Sequence, residues 1–87
     1  MNIEITGVTR ALNNWILGIV GPFRFAIVHF PDPSKYGIDG GRISKLWIAP
    51  RGGGPEAASY DRGWSTRPDP ADADAAAALA AILARWN

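Results

Sequence analysis

The sequence predicts a single α+β domain in which a small antiparallel sheet of four or five strands, joined as a meander, packs against one C-terminal helix. Two observations predict this fold class. Short apolar runs rich in β-branched and aromatic residues alternate with Gly- and Pro-rich turns. Residues 70–86 then change to an Ala-rich composition with helical periodicity. The 87 residues suffice for one hydrophobic core but not for two, so we expect one soluble domain over residues 1–87.

Five segments have the composition of strands. Gly21-Pro22 is a tight turn between the two best-defined segments, and Pro31 ends the second one because proline cannot donate to a strand ladder. We expect residues 62–68 to be irregular. The expected strands are residues 2–8, 14–20, 23–30, 42–49 and 56–60. Across the Gly-Pro turn we expect Trp15, Leu17 and Ile19 to share a face with Phe23, Phe25 and Ile27.

Residues 8–19 also permit a second interpretation, because their apolar positions fit a helical spacing as well. The β-branched content and the tight turn at Gly21-Pro22 favour a strand from about residue 14. The apolar positions that fit the helical spacing are Val8, Ala11, Leu12, Trp15, Ile16 and Ile19.

Residues 70–86 carry the clearest local pattern in the chain. Asp69 is a favourable N-cap, Pro70 suits the first helical position, and Asp72 lies near the positive end of the helix dipole. Arg85 lies near the negative end. The apolar stripe that should face the sheet is Leu79, Ile82, Leu83 and Trp86.

Composition removes several classes of function. The chain has no cysteine, which excludes a disulfide scaffold, a thiolate nucleophile and any Cys-ligated metal. A net charge of +1 is too small for avid non-specific binding to DNA. The N-terminus lacks a basic segment followed by an apolar run, and the longest apolar stretch is far shorter than the roughly 20 residues of a membrane span. We therefore expect a cytoplasmic protein without membrane contact.

Few residues offer chemistry. His29 could act as a general base or metal ligand, but no second ligand or nucleophile accompanies it, which favours a half-buried strand histidine with a local hydrogen bond. Asp61 could orient Arg62 or cap a turn. Neither Gly40-Gly41 nor residues 52–54 lead into a helix as phosphate-binding loops do, so both are interpreted as turns. We expect no catalytic residue, metal or cofactor, and hence no enzyme.

Residues 35–67 concentrate positive charge, with six cationic side chains against three carboxylates. Arginine can hold a phosphate or carboxylate bidentately, and tryptophan or tyrosine can stack on a base or a guanidinium. The alternative is that an Arg–Trp stack and an Asp61–Arg pair merely hold residues 61–67 against the sheet. The candidate binding residues, for a partner protein or an anionic ligand, are Tyr36, Arg42, Lys45, Tyr60, Arg62 and Trp64.

Residues 36–46 (YGIDGGRISKL) and 60–64 (YDRGW) resemble a family of small uncharacterised proteins encoded by phages and prophages. The resemblance covers about residues 14–86. It implies no reaction and no catalytic residue. It implies a context, because small accessory phage proteins often act by binding, and inhibitors of host defence are prominent among them.

Together these features lead us to expect a non-enzymatic, phage-type binding protein that inhibits a host-defence component in the bacterial cytoplasm, in the manner of an anti-CRISPR protein. Its expected partner is a host protein. The alternatives are sequestration of a nucleotide signal, with arginine and lysine on the phosphates and Trp64 on the base, or a nucleic-acid-binding module. Edge strands and an Ala-rich helix would also permit a homodimer.

Overall fold

A computed structural model describes residues 1–9 and 14–87 of the chain. The described residues form one antiparallel sheet whose six strands follow each other in sequence order, with a helix after the last strand. The predicted α+β meander is therefore confirmed, with six strands instead of four or five. The elements are β1 (Ile3–Thr9), β2 (Trp15–Val20), β3 (Phe23–His29), a 3₁₀ turn (Ile38–Gly40), β4 (Ile43–Pro50), β5 (Ala58–Asp61), β6 (Trp64–Thr66) and α1 (Ala73–Trp86).

The sixth strand lies where we predicted irregular chain. β6 is three residues long, too short to show an alternating pattern, and it returns along β5 through a turn at Arg62 and Gly63. Arg62 adopts φ 55°, a left-handed conformation that closes this tight turn. Neither feature is readable from composition.

The helix begins three residues later than predicted. The N-cap is Asp72, whose carboxylate accepts a hydrogen bond from the amide of Ala75 at 3.0 Å. Asp69 instead accepts from the amide of Ala71 at 2.9 Å and shapes the turn before the helix. Two aspartates three residues apart both suit an N-cap, and Pro70 fitted the first choice, so local preference alone selected the wrong one.

The predicted facing of β2 and β3 is wrong. The two-residue turn at Gly21-Pro22 pairs Val20 directly with Phe23, and directly paired residues share a face. Consequently Ile16, Gly18 and Val20 of β2 share the core face with Phe23, Phe25 and Ile27 of β3. Trp15, Leu17 and Ile19 lie on the opposite face of the sheet.

Residues 15–20 form a strand, as predicted in preference to a helix. The remainder of the helical alternative, residues 10–13, lies outside the described residues. Within the described part of the chain, α1 falls short of the length and apolarity that a membrane-crossing helix needs.

Helix α1 covers one face of the sheet, here called the covered face. Ala75, Ala78 and Ile82 of the helix are buried against it. The tilted ring of Trp86 lies 5.6 Å from that of Phe25. Small alanines allow the helix backbone to approach the sheet closely. The sheet residues buried in the same cluster are Val20, Phe23, Phe25, Ile27, Ile43, Leu46, Ile48, Ala58 and Tyr60.

The end of the helix is tied to the sheet by Asn87. Its side chain accepts from the amide of Ile43 and donates to the carbonyl of Ile38, both at 3.0 Å. The backbone carbonyl of Asn87 accepts from the amide of Arg42 at 3.3 Å. These bonds hold the long β3–β4 connection, in which Ile38 is buried, against the end of α1.

Candidate interaction surface at the β6 edge

The six predicted binding residues do not form one cluster. Arg42 is half-buried at the start of β4, where its Nε donates to the carbonyl of Phe30 at 3.0 Å. Its Nη2 lies 3.1 Å from Nδ1 of His29. His29 is half-buried and its Nδ1 also lies 3.1 Å from the carbonyl of Phe30. The guanidinium of Arg42 is thus occupied in holding the end of β3.

Lys45 projects from the face of the sheet opposite α1. It is the neighbour of buried Leu46, and adjacent strand residues point to opposite faces. Its cross-strand partner is Asp61, which lies on that same face. Lys45 is therefore separated by the sheet from the predicted aromatic residues.

Two of the predicted aromatic rings, Tyr60 and Trp64, pack together on the covered face, and Tyr36 is joined to Tyr60 through its backbone. The buried Tyr60 donates its hydroxyl to the carbonyl of Tyr36 at 2.9 Å. Trp64 packs edge-on against Tyr60, with 5.2 Å between ring centroids. Tyr36 is 49% exposed, with the Lys35 ammonium 5.1 Å from the centroid of its ring. Tyr60 thus packs against the half-exposed Trp64 and holds the backbone of the exposed Tyr36.

Arg62 carries its charge outward from the β5–β6 turn. Its side chain is 68% exposed, and its Nε lies 3.8 Å from the carboxylate of Asp61. Its amide donates to the carbonyl of Ser44 at 3.2 Å, which fixes the turn to β4. A non-glycine residue at positive φ is a strained choice, and such positions cluster at functional sites.

An apolar groove of about 410 Å³ runs between β6 and α1. Trp64 forms one wall, and half-buried Leu79 and Leu83 of the helix form the other. The guanidinium of Arg67 stacks over Trp64 at 5.2 Å and stands at the rim. No ion pair joins Arg67 to a carboxylate among the described residues. The remaining lining residues are Pro68, Pro70, Ala76 and Ala80.

Sequence reasoning missed Arg67 and the groove side of the helix. Leu79 and Leu83 belong to the helical stripe that we assigned to the core, but they lie at its edge, where the short β6 leaves them partly uncovered. The closeness of Arg67 to Trp64 in the sequence was the available signal. We name the set Tyr36, Arg62, Trp64, Arg67, Leu79 and Leu83 the edge surface.

The edge surface combines an apolar groove with a basic rim. Such a surface can bury an apolar side chain while its cations meet carboxylates or phosphates. Among the described residues, no three His, Asp or Glu side chains stand close enough to hold a metal ion.

A family model described as a domain of unknown function (DUF7678) matches residues 14–87, which run from the start of β2 to the end of α1. β1 lies before the matched part. No curated protein and no solved structure matches the chain.

Proposed function

Because the chain belongs to the family described as a domain of unknown function (DUF7678), whose description assigns no activity, we propose a function from the surface itself. The protein is a non-enzymatic binding protein that holds a partner protein at its edge surface. The observation that carries this proposal is the apolar groove walled by Trp64 and the helix, with Arg67 at its rim in no ion pair with a described carboxylate.

The open side of β6 favours an extended segment as the bound element. β6 is the last strand in the order, so no described strand neighbours its outer side. An extended segment can pair with such an edge through its backbone and place alternate side chains to one face. On the covered face those side chains would meet the groove, whose volume is at the small end of the roughly 300–1,000 Å³ typical of ligand pockets.

Charge favours an acidic partner. Arg67 stands exposed at the rim of the groove, and Arg62 is exposed at the turn between β5 and β6. Lys35 lies beside Tyr36. Asp61 is the carboxylate within reach of Arg62. Arginine and tryptophan are also common anchors of protein interfaces. We therefore expect an acidic segment with at least one large apolar side chain.

The resemblance of residues 36–46 and 60–64 to phage-encoded proteins supports a host-defence component as the partner. In this proposal the protein works in the bacterial cytoplasm and inhibits its target by occupancy, as anti-CRISPR proteins do. The nucleotide-sequestration alternative needs Arg42, Lys45 and Trp64 around one ligand. Their separate placements favour a protein partner.

Capture from bacterial lysate, followed by quantitative mass spectrometry, tests the proposal. The bait proteins are the wild-type chain, Ala80→Glu and Ala77→Glu. Both alanines are exposed on α1, but only Ala80 lines the groove. A carboxylate in the groove should lower recovery of the partner at least about tenfold, which corresponds to about 1.4 kcal/mol of binding free energy. Ala77→Glu should leave recovery unchanged.

A further variant tests the contribution of positive charge to binding separately from that of the groove. Arg62→Asn removes the cation, and asparagine tolerates the left-handed conformation, so the turn should survive. We expect weaker capture with an unchanged melting temperature. Equal capture by all four proteins would contradict the proposal. A second contradicting result would be a melting temperature that rises when a nucleotide is added but not when any captured protein is added. That result would favour the sequestration alternative.

A further inference from the structure

The face of the sheet opposite α1, here called the open face, is apolar at its centre. Its large side chains are half-buried, and none of them belongs to the core cluster or packs against it. The guanidinium of Arg24 stacks over Trp47 at 5.2 Å, which confirms that both lie on this face. The five large apolar residues are Trp15, Leu17, Ile19, Val28 and Trp47.

Strand register arranges the open face in three rows. The central row runs Gly7, Leu17, Ala26, Trp47, Ser59 across β1 to β5. The row on one side of it contains Trp15, Val28, Lys45 and Asp61. The row on the other side contains Glu4, Ile19, Arg24 and Ala49.

We infer that the open face is a dimerisation surface, covered in solution by the open face of a second copy of this chain. Two sheets would then pack face to face, as in a β-sandwich, about 10 Å apart. This inference concerns a different surface from the edge surface and does not rest on the proposed function.

The size of the open face suits a dimer. With about 4.8 Å between strands and about 3.4 Å per residue, five strands and three rows span roughly 24 by 20 Å. The relief of the side chains raises the accessible area above this projection of about 500 Å². Stable interfaces begin at about 600 Å² per partner. Two copies together would therefore bury more than about 1,000 Å², which is close to the lower limit of a standard interface.

Its charges suit a second copy better than a nucleic acid. Lys45 and Arg24 stand against Asp61 and Glu4, so the three rows of this face carry two charges of each sign. A balanced face neither repels its own copy nor attracts a polyanion, which would need many unopposed cations. The charged residues lie in the outer rows, as in the polar rim of an interface.

A two-fold axis parallel to the strands, running above β3 midway between the two sheets, gives complementary contacts. Ala26 faces the axis, and its small side chain lets the flanking large ones approach. Trp47 on β4 then faces Leu17 on β2 of the second copy, and Lys45 faces Trp15, a favourable cation–π pairing. Each contact occurs twice, because such an interface is isologous. Arg24, also near the axis, lies in an outer row and remains stacked on its own Trp47.

Sedimentation velocity over a concentration series tests the inference. We expect the wild type to shift from 9.3 kDa to twice that mass as concentration rises. Leu17→Glu should raise the dissociation constant of the dimer at least about a hundredfold, because the symmetry buries the new charge twice. The matched control is Ile5→Glu on β1, since Ile5 is 44% exposed and lies on the covered face.

A cross-linking experiment keeps the inference testable if Leu17→Glu fails to fold. The chain has no cysteine, so Ala26→Cys and Ala77→Cys each introduce a single reactive thiol. A short bismaleimide should couple Ala26→Cys into dimers at least about tenfold faster than Ala77→Cys, since only position 26 faces the axis. Three results would overturn the inference: a wild type that stays monomeric to millimolar concentration, equal coupling at both positions, or binding of labelled single-stranded DNA that is lost in Leu17→Glu.

Discussion

The covered face and the open face belong to the same strands, and both have large apolar side chains at their centres. On the covered face, Ile27, Leu46 and Ile48 are almost completely buried beneath α1. On the open face, Trp15, Leu17 and Trp47 are only half-buried, and no described helix lies above them. The difference lies in what covers each face and not in the character of the residues.

This comparison shows how to interpret a strand that is apolar on both sides. β2 reads Trp-Ile-Leu-Gly-Ile-Val, a continuous apolar run typical of strands buried on both faces. The described residues supply one α-helix, which covers one face. The apolar side chains of β2 on the open face have no helix over them, which is why we infer that a second molecule covers them.

The largest expected difference in stability between the two faces comes from replacing an isoleucine by alanine on each of them. Ile27→Ala removes a fully buried side chain from the covered face and should lower the free energy of unfolding by about 3–4 kcal/mol. Ile19→Ala on the open face should cost about 1 kcal/mol, because Ile19 is already partly exposed. Urea unfolding of dilute protein, followed by circular dichroism, measures both. Equal losses would mean that the open face is as well packed as the covered one.

Two glycine substitutions test how tightly the covered face is packed. A Cβ at Gly18 would lie 2.5 Å from the carbonyl oxygen of Glu4 and 2.6 Å from the ring of Phe25. Gly18→Ala should therefore destabilise the fold by about 2 kcal/mol through overpacking. Gly63→Ala is the control, since a Cβ there meets nothing within 4 Å and should change stability by less than about 0.5 kcal/mol. Thermal unfolding distinguishes them, and a tolerated Gly18→Ala would show that the covered face has room to adjust.

The smallest expected loss of stability comes from removing the N-cap of α1, the helix over the covered face. Asp72→Ala removes the N-cap bond to Ala75 and should cost about 1 kcal/mol. Asp69→Ala removes only a turn bond to Ala71 and should cost less than about 0.5 kcal/mol. Chemical unfolding of both variants ranks them. The reverse order would place the start of the helix at Asp69, as local preference suggested.

Much of the fold could be predicted from local patterns, because turn residues and apolar periodicity act over a few neighbours. The Gly21-Pro22 turn even contained the correct facing of β2 and β3, since a two-residue loop pairs Val20 with Phe23. β6 could not be predicted. Three residues carry no periodicity, and their strand character comes from pairing with β5.

The candidate site was less predictable than the fold. Tyr60 and Trp64 pack together because the pairing of β5 with β6 brings them side by side, whereas Tyr36 meets Tyr60 through its backbone carbonyl. Arg42 and Lys45 are nearly adjacent to one another in sequence, yet one holds the end of β3 and the other points from the opposite face. Successive side chains of a strand point to opposite faces of the sheet, so residues that are close in sequence need not lie close together in the fold.

Three properties follow from local sequence: the fold class, the two-sided apolar character of the central strands and the absence of thiol chemistry, since each depends on composition or short-range periodicity. Three further outcomes depend on the folded chain: which face α1 covers, the grouping of Arg67, Leu79 and Leu83 with Trp64 in a groove, and the attachment of the helix to β4 by Asn87. These outcomes depend on contacts between residues distant in the chain, and no local preference specifies which of those contacts form.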